Sequence, residues 1–297
     1  MKKIFALLVM LVWTPLALAV APYITGDKVT GGDVKSVMSQ VEKKLTAEGF
    51  SVIGRLSPSG MQQYYGVIIV TDKGIQEAIT TIGGSAIVGS AIRVGVRSDG
   101  SVSYMNPDYW YRAYFRKQFG VGEHAVKAVS EKLKTALGMG KTFGGDVSAD
   151  KLPNYNYMIG MEKFDSDKNE LKSYGSFESA VKAVQDNLAK GTNSTSKVYE
   201  VIIPGKKIAV FGVALNDPRM GDGAIAKKIG PDNIAAFPYE IYIVNGKVNA
   251  LYGRYRLAIG WPNLGMGTFM GVSDAPDAIL EALTGVAGGV FEKSSSF

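Results

Sequence analysis

The stretch DVKSVMSQVEKKL at residues 33–45 and the stretch SFESAVKAVQDNL at residues 176–188 are written on one plan. Asp33 and Ser176 are both N-cap residue types standing before a helical pattern. Val34, Met38, Val41 and Leu45 follow the first, and Phe177, Val181, Val184 and Leu188 follow the second. Each series steps through i, i+4, i+7 and i+11, which lays a single apolar stripe along an amphipathic helix.

Outward from these helices the match continues. Ser51–Arg55 and Tyr65–Thr71 read as extended after the first helix, Val198–Ile203 and Ile208–Leu215 after the second. Short helical stretches come next, at Lys73–Ile82 and Gly223–Ile229. Asp99-Gly100 then joins Ala91–Arg97 to Val102–Met105, and Asn245-Gly246 joins Tyr239–Val244 to Lys247–Tyr252. Asp-Gly and Asn-Gly tolerate the positive φ of a tight hairpin turn, so each pair predicts a β-hairpin. A closing helix ends each half: one carries Val126, Val129, Leu133 and Leu137, and the other starts at Ser273, Asp274 and Pro276 and carries Ile279, Leu280 and Leu283. Elements recurring in one order, at offsets of about 143 to 151 residues, predict one unit written twice. The expected class is α+β: two similar units, each a curved antiparallel sheet with helices packed on one face. The first unit spans residues 20–137 and the second 176–297. Residues 138–175 form a connector in which Asn154–Lys163 reads as weakly strand-like, with room for an edge hairpin.

In the first unit, Val41-Glu42-Lys43-Lys44-Leu45 leads to Glu48-Gly49-Phe50, a strand, and later a hairpin ending in Asn106-Pro107. This order resembles the bacterial domain-of-unknown-function family numbered three hundred and two. The resemblance covers about Asp33 to Leu137 and, more faintly, Ser176 to Thr284. In the second copy Lys190-Gly191-Thr192 replaces the E-G-F exit, and Tyr252-Gly253-Arg254 replaces the N-P step. The resemblance implies a fold similar to the TATA-binding-protein class and implies no activity.

The N-terminus reads as a secretory leader. Lys2 and Lys3 precede the apolar run Ile4–Trp13, and both Ala17-Leu18-Ala19 and Ala19-Val20-Ala21 supply a small-x-small exit; cleavage after Ala19 is favoured over Ala21, which would leave Pro22 at the new N-terminus. The apolar run is shorter than the ~20 residues of a spanning helix. Export would remove ATP-driven and nicotinamide chemistry from consideration. The leader's two lysines account for part of the formal charge of +6 and leave +4, far less than nucleic-acid binders concentrate. With no cysteine there is no disulfide, thiolate metal site or cysteine nucleophile, and a lone histidine, His124, excludes a multi-histidine metal centre. A hydrophobic content of 46% is enough for a substantial core.

The densest aromatic stretch runs from Asn106 to Arg116. On a helix begun by Asn106 and Pro107, Trp110 shares a face with Tyr114, and Arg112 stands one turn before Arg116. Tyr252, Arg254, Tyr255, Arg256 and Trp261 form a looser counterpart in the second unit. The candidate ligand-binding residues are therefore Trp110, Tyr111, Arg112, Tyr114, Arg116, Tyr252, Arg254 and Tyr255. Aromatic plates beside arginine suit an aromatic, anionic or sugar-like ligand, or a protein partner. Large rings equally serve to pack a sheet against its helices or one unit against the other. Asp165-x-Asp167-x-Asn169 opens like a calcium loop, but Glu170 and Ser176 stand where the loop needs Gly and Glu, so a polar turn is expected. Gly140-Lys141-Thr142 lacks the upstream glycine of a phosphate loop.

The leading expectation is a non-enzymatic binding or interaction protein of the bacterial envelope, periplasmic or secreted. Its partner is a small molecule or envelope protein of unknown identity, with no nucleic acid, no cofactor, no metal and no stable membrane span after cleavage. A homo-oligomer stays open. The alternatives are a hydrolase or isomerase whose carboxylates converge only in the fold, and a structural envelope-assembly subunit.

Overall fold

A computed structural model describes residues 18–292. Residues 1–17 of the expected leader lie outside this range. The chain opens with β1 (Ala19–Val20), β2 (Tyr23–Thr25), α1 (Val34–Ala47), β3 (Ser51–Leu56), β4 (Tyr65–Thr71) and α2 (Lys73–Ile82). It continues through β5 (Ile92–Arg97), β6 (Val102–Met105), α3 (Pro107–Phe115), α4 (Phe119–Leu137), β7 (Thr142–Phe143) and β8 (Val147–Ser148). Then come β9 (Glu170–Ser173), α5 (Phe177–Ala189), β10 (Thr195–Ile203), β11 (Ile208–Leu215) and α6 (Asp222–Ile229). The last elements are β12 (Tyr239–Val244), β13 (Lys247–Ala250), α7 (Gly253–Gly260), α8 (Met266–Met270) and α9 (Ala275–Val286). The architecture is α+β with antiparallel sheets.

Local chemistry explains the main boundaries. The Asp33 carboxylate accepts from the Ser36 amide at 3.0 Å and the Ser176 hydroxyl from the Ser179 amide at 3.1 Å, so both caps satisfy an otherwise orphaned donor. Val34, Met38, Val41 and Leu45 are all buried, as are Phe177, Val184 and Leu188. Gly100 and Asn245 take positive φ at the two hairpin turns.

One sheet runs β3-β4-β5-β6-β2-β7 and the other β10-β11-β12-β13-β9. In each, a strand preceding the first helix returns to pair beside the last hairpin strand. Ile69 pairs with Arg93 across β4 and β5, and Gly212 pairs with Glu240 across β11 and β12. Both edge strands carry a register shift near the start, between Val52 and Gly54 in β3 and between Lys197 and Tyr199 in β10. These two edges lie against each other: a Cβ on Gly54 would sit 2.5 Å from the Val198 carbonyl oxygen, which is why glycine stands there. Each covers an edge the other would leave open to unwanted pairing.

Helix α1 packs on one face of the first sheet, with Val34 and Met38 over Gly66, and α5 packs on one face of the second. The opposite faces are covered as well. A 3-10 segment at residues 231–236 lies on β4, β5 and β6, and a 3-10 segment at residues 84–90 lies on β11 and β12. The exchange is reciprocal, so β4, β5, β11 and β12 are buried on both faces and one continuous core joins the two halves.

The connector also departs from expectation. Asn154–Lys163 forms no strand. The pairing segments flank it instead: β7 extends the first sheet beside β2, β8 pairs with β1, and β9 closes the second sheet. From Tyr155 onward Asn154–Lys163 runs as a loop, with the Tyr155 hydroxyl on the Ala258 carbonyl and the Tyr157 hydroxyl on the Glu162 carboxylate. Among the described residues, no helix is long and apolar enough to cross a membrane.

Candidate functional site

The aromatic stretch of α3 is interior. Trp110 and Tyr111 are fully buried, and Tyr114 and Tyr255 nearly so, so these four rings present no surface to a ligand. Their polar atoms are spent on the fold. The Trp110 indole donates to the Pro22 carbonyl at 2.9 Å and the Tyr111 hydroxyl to Gly89 at 2.9 Å. Around them, Tyr23, Tyr109 and Tyr155 donate to the carbonyls of Gly260, Ile259 and Ala258. These are the unpaired carbonyls of the last turn of α7, so tyrosines from the first half and the connector cap a helix of the second. Large rings with one polar tip suit this work, since each buries apolar area and still finds an acceptor.

At the centre of the interface Glu240 receives two guanidiniums. Arg93 reaches it through Nη1, and Arg256 through Nε at 3.0 Å. Arg93 also donates to the Ala235 carbonyl at 3.0 Å and the Tyr114 hydroxyl at 3.1 Å. The Trp110 ring lies against both cations, 4.6 Å and 5.4 Å from their guanidinium carbons. Nearby, burial pushes the Asp222 carboxyl well above the usual carboxylate range, with the Arg256 charge opposing the shift.

The arginines of the aromatic stretch are paired. Arg112 donates to Asp108 at 2.9 Å and covers the Phe119 ring, while Arg116 donates to Asp165 at 2.9 Å and to the Pro153 carbonyl. Arg116 borders a small cleft of about 200 Å³ with Lys163 and Phe164. Asn169, in the expected calcium-like turn, donates to the Phe164 carbonyl and accepts from the Tyr252 amide, so its side chain is part of the turn's own structure.

Of the eight candidate residues, Tyr252 and Arg254 come together at a second site. A groove of about 320 Å³ opens between the connector loop and helices α7 and α8. Tyr155, Tyr157, Met158 and Met161 form one wall. Leu257, Trp261, Leu264, Met266 and Phe269 form the other, and Arg254 stands at its polar margin. Met158 is 45% exposed, Met266 62% and the adjacent Ile159 95%, so the apolar surface continues out of the groove. Unbranched, polarizable methionine adapts to irregular apolar ligands.

The polar margin is built on Glu162, which is buried. It accepts from Lys168 at 2.8 Å, Tyr157 at 2.8 Å and Arg254 at 3.1 Å. Burial alone would raise the Glu162 pKa, but the hydrogen bonds from Lys168 and Tyr157 and the Arg254 charge hold it below the ordinary glutamate range. The cations of Arg254 and Lys168 each lie 5.4 Å from the centre of the Tyr252 ring.

Sequence reasoning passed over the methionines. Two Met- and Gly-containing runs, Met158-Ile159-Gly160-Met161 and Gly265-Met266-Gly267-Thr268-Phe269-Met270-Gly271, carry no periodicity and stand about a hundred residues apart. The usable signal was their composition: long apolar side chains among glycines that cannot help bury them. No protein-family model matches the chain, and no curated protein is found to be similar to it.

Proposed function

We propose that this is an exported, non-enzymatic binding protein of the bacterial envelope whose ligand site is the methionine-lined groove between the connector loop and α7–α8. The observation that carries the reading is apolar surface at a concave site, continuous with exposed Met158, Ile159 and Met266, where burial on a ligand would be favourable. An enzymatic reading has less behind it: Glu240 is saturated by two guanidiniums, and neither it nor Asp222 borders the groove. Export rests on the basic start, apolar run and Ala17-x-Ala19 exit.

The unit reading and the family resemblance go with this proposal. Origin by duplication is supported by the common strand order, by the equivalent pairings Ile69–Arg93 and Gly212–Glu240, and by the matched register shifts in β3 and β10. Native mass spectrometry of protein purified from its own envelope tests the function. A retained apolar molecule, displaced by substituting Met161→Glu, is the expected result. Protein that carries nothing and binds no apolar probe at the groove overturns it.

A further inference from the structure

Within the groove the protein's own hydrogen-bonding groups are almost all committed. The Tyr155 hydroxyl donates to the Ala258 carbonyl, the Tyr157 hydroxyl to Glu162, and the Trp261 indole to the Gly230 carbonyl. A peptide laid along these walls would leave its amides and carbonyls without partners, at a cost for each buried group. Hydrocarbon meets no such cost. At the margin the balance changes sign: Arg254 and Lys168 carry two positive charges against the single carboxylate of Glu162. Among the described residues, the hydrogen bonds of Arg254 run from Nη2 alone, to Glu162 and Tyr252, which leaves Nε and Nη1 to donate elsewhere. Its side chain is 34% exposed, so an incoming group can reach it.

We propose that the groove takes a single-chain anionic amphiphile, with its hydrocarbon between the methionine and aromatic walls and its carboxylate or equivalent anionic head on Arg254. This rests on the groove being the ligand site, and it adds the chemistry of the head group. The charge excess lies at the end of the site that Arg254 borders, and a charge-assisted hydrogen bond there is stronger than a neutral one. A cationic amphiphile would meet net repulsion at the same end.

The test compares laurate, dodecanol and dodecylamine, which share a chain and differ in head, by Trp261 fluorescence titration on the full chain. Laurate is expected to bind about 10- to 100-fold more tightly than dodecanol, with dodecylamine weakest. The laurate advantage should shrink with added salt. Arg254→Gln should remove that advantage, and a native circular dichroism spectrum shows that the variant is folded. Equal binding of laurate and dodecanol, or an Arg254→Gln protein that still prefers laurate, overturns the head-group assignment and leaves the groove reading standing. If none of the three binds, both fall. Sedimentation with phosphatidylglycerol vesicles separates a free amphiphile from a bilayer surface: pelleting with vesicles by a protein that ignores laurate also overturns the proposal.

Discussion

Replacing Glu240 by glutamine changes almost no volume and removes the carboxylate that Arg93 and Arg256 share. The three side chains are essentially inaccessible to water, at 1%, 0% and 1% exposure. In the wild type the ion triad carries one net positive charge, spread over a carboxylate, three backbone carbonyls, the Tyr114 hydroxyl and the Trp110 face. In the variant two guanidiniums remain buried with no counter-charge. Breaking a buried pair in this way costs about 3–5 kcal/mol, and no cavity contributes. At roughly 2–4 °C per kcal/mol for chains approaching this length, the melting temperature should fall on the order of 10 °C. Urea titration followed by tryptophan emission suits the measurement, because Trp110 touches both cations. The midpoint should move at unchanged slope, as expected when stability alone changes. A double-mutant cycle with Arg93→Gln should return a coupling above about 1 kcal/mol. A loss below about 1 kcal/mol for Glu240→Gln would refute the view that this triad holds the two halves together.

Three further outcomes are expected. Trp110→Ala should lose about 3–5 kcal/mol by calorimetry, as for any emptied core site; an unchanged melting temperature would put Trp110 back among surface residues. Asp222→Asn should be more stable than the wild type at neutral pH. The folded carboxyl holds its proton above its ordinary pKa, so its stabilising contribution is complete below the unfolded value near ~4 and is lost as pH rises through the folded one. The two proteins should therefore converge in acid, and an Asp222→Asn protein less stable at pH 7 contradicts the assignment. Peroxide treatment should convert exposed Met158 and Met266 to polar sulfoxides and weaken dodecanol binding, with Met→Leu variants protected; binding indifferent to oxidation would place the ligand elsewhere.

Local pattern carried the elements well. The stripes of α1 and α5, the Asp-Gly and Asn-Gly turns, and the strands Tyr65–Thr71 and Ile208–Leu215 fall where side-chain periodicity and turn chemistry put them. What escaped was set by distant chain. In β5 the alternation Ile92-Arg93-Val94-Gly95-Val96-Arg97 reads as a half-buried strand with Arg93 toward water. Arg93 is buried because Glu240, 147 residues away, meets it from the other sheet. The rings of α3 are equally ambiguous in isolation, since a run of Tyr and Trp beside Arg suits an exposed plate and an interior strut alike. Only the carbonyls of α7 decide between them. The groove was illegible for the same reason: one wall is a connector loop without period and the other is built on the short helices α7 and α8, and only folding places them face to face.

The pairing of Arg93 with Glu240 has a consequence for assembly. The two residues occupy the same place in their respective sheets, and the second half adds the Arg256 guanidinium beside its own Glu240. A first half docked on another first half would bury arginine against arginine with no carboxylate between them, whereas two second halves would leave each Glu240 with its own Arg256 alone. The first mismatch incurs like-charge repulsion away from water and the second forgoes the bond from Arg93, which discriminates against both. The correct partner is always tethered in the same polypeptide, so exchange of halves between neighbouring molecules is selected only when it rebuilds the same unlike pair. A single charge swap between two matching positions thus acts as an orientation key for the whole chain.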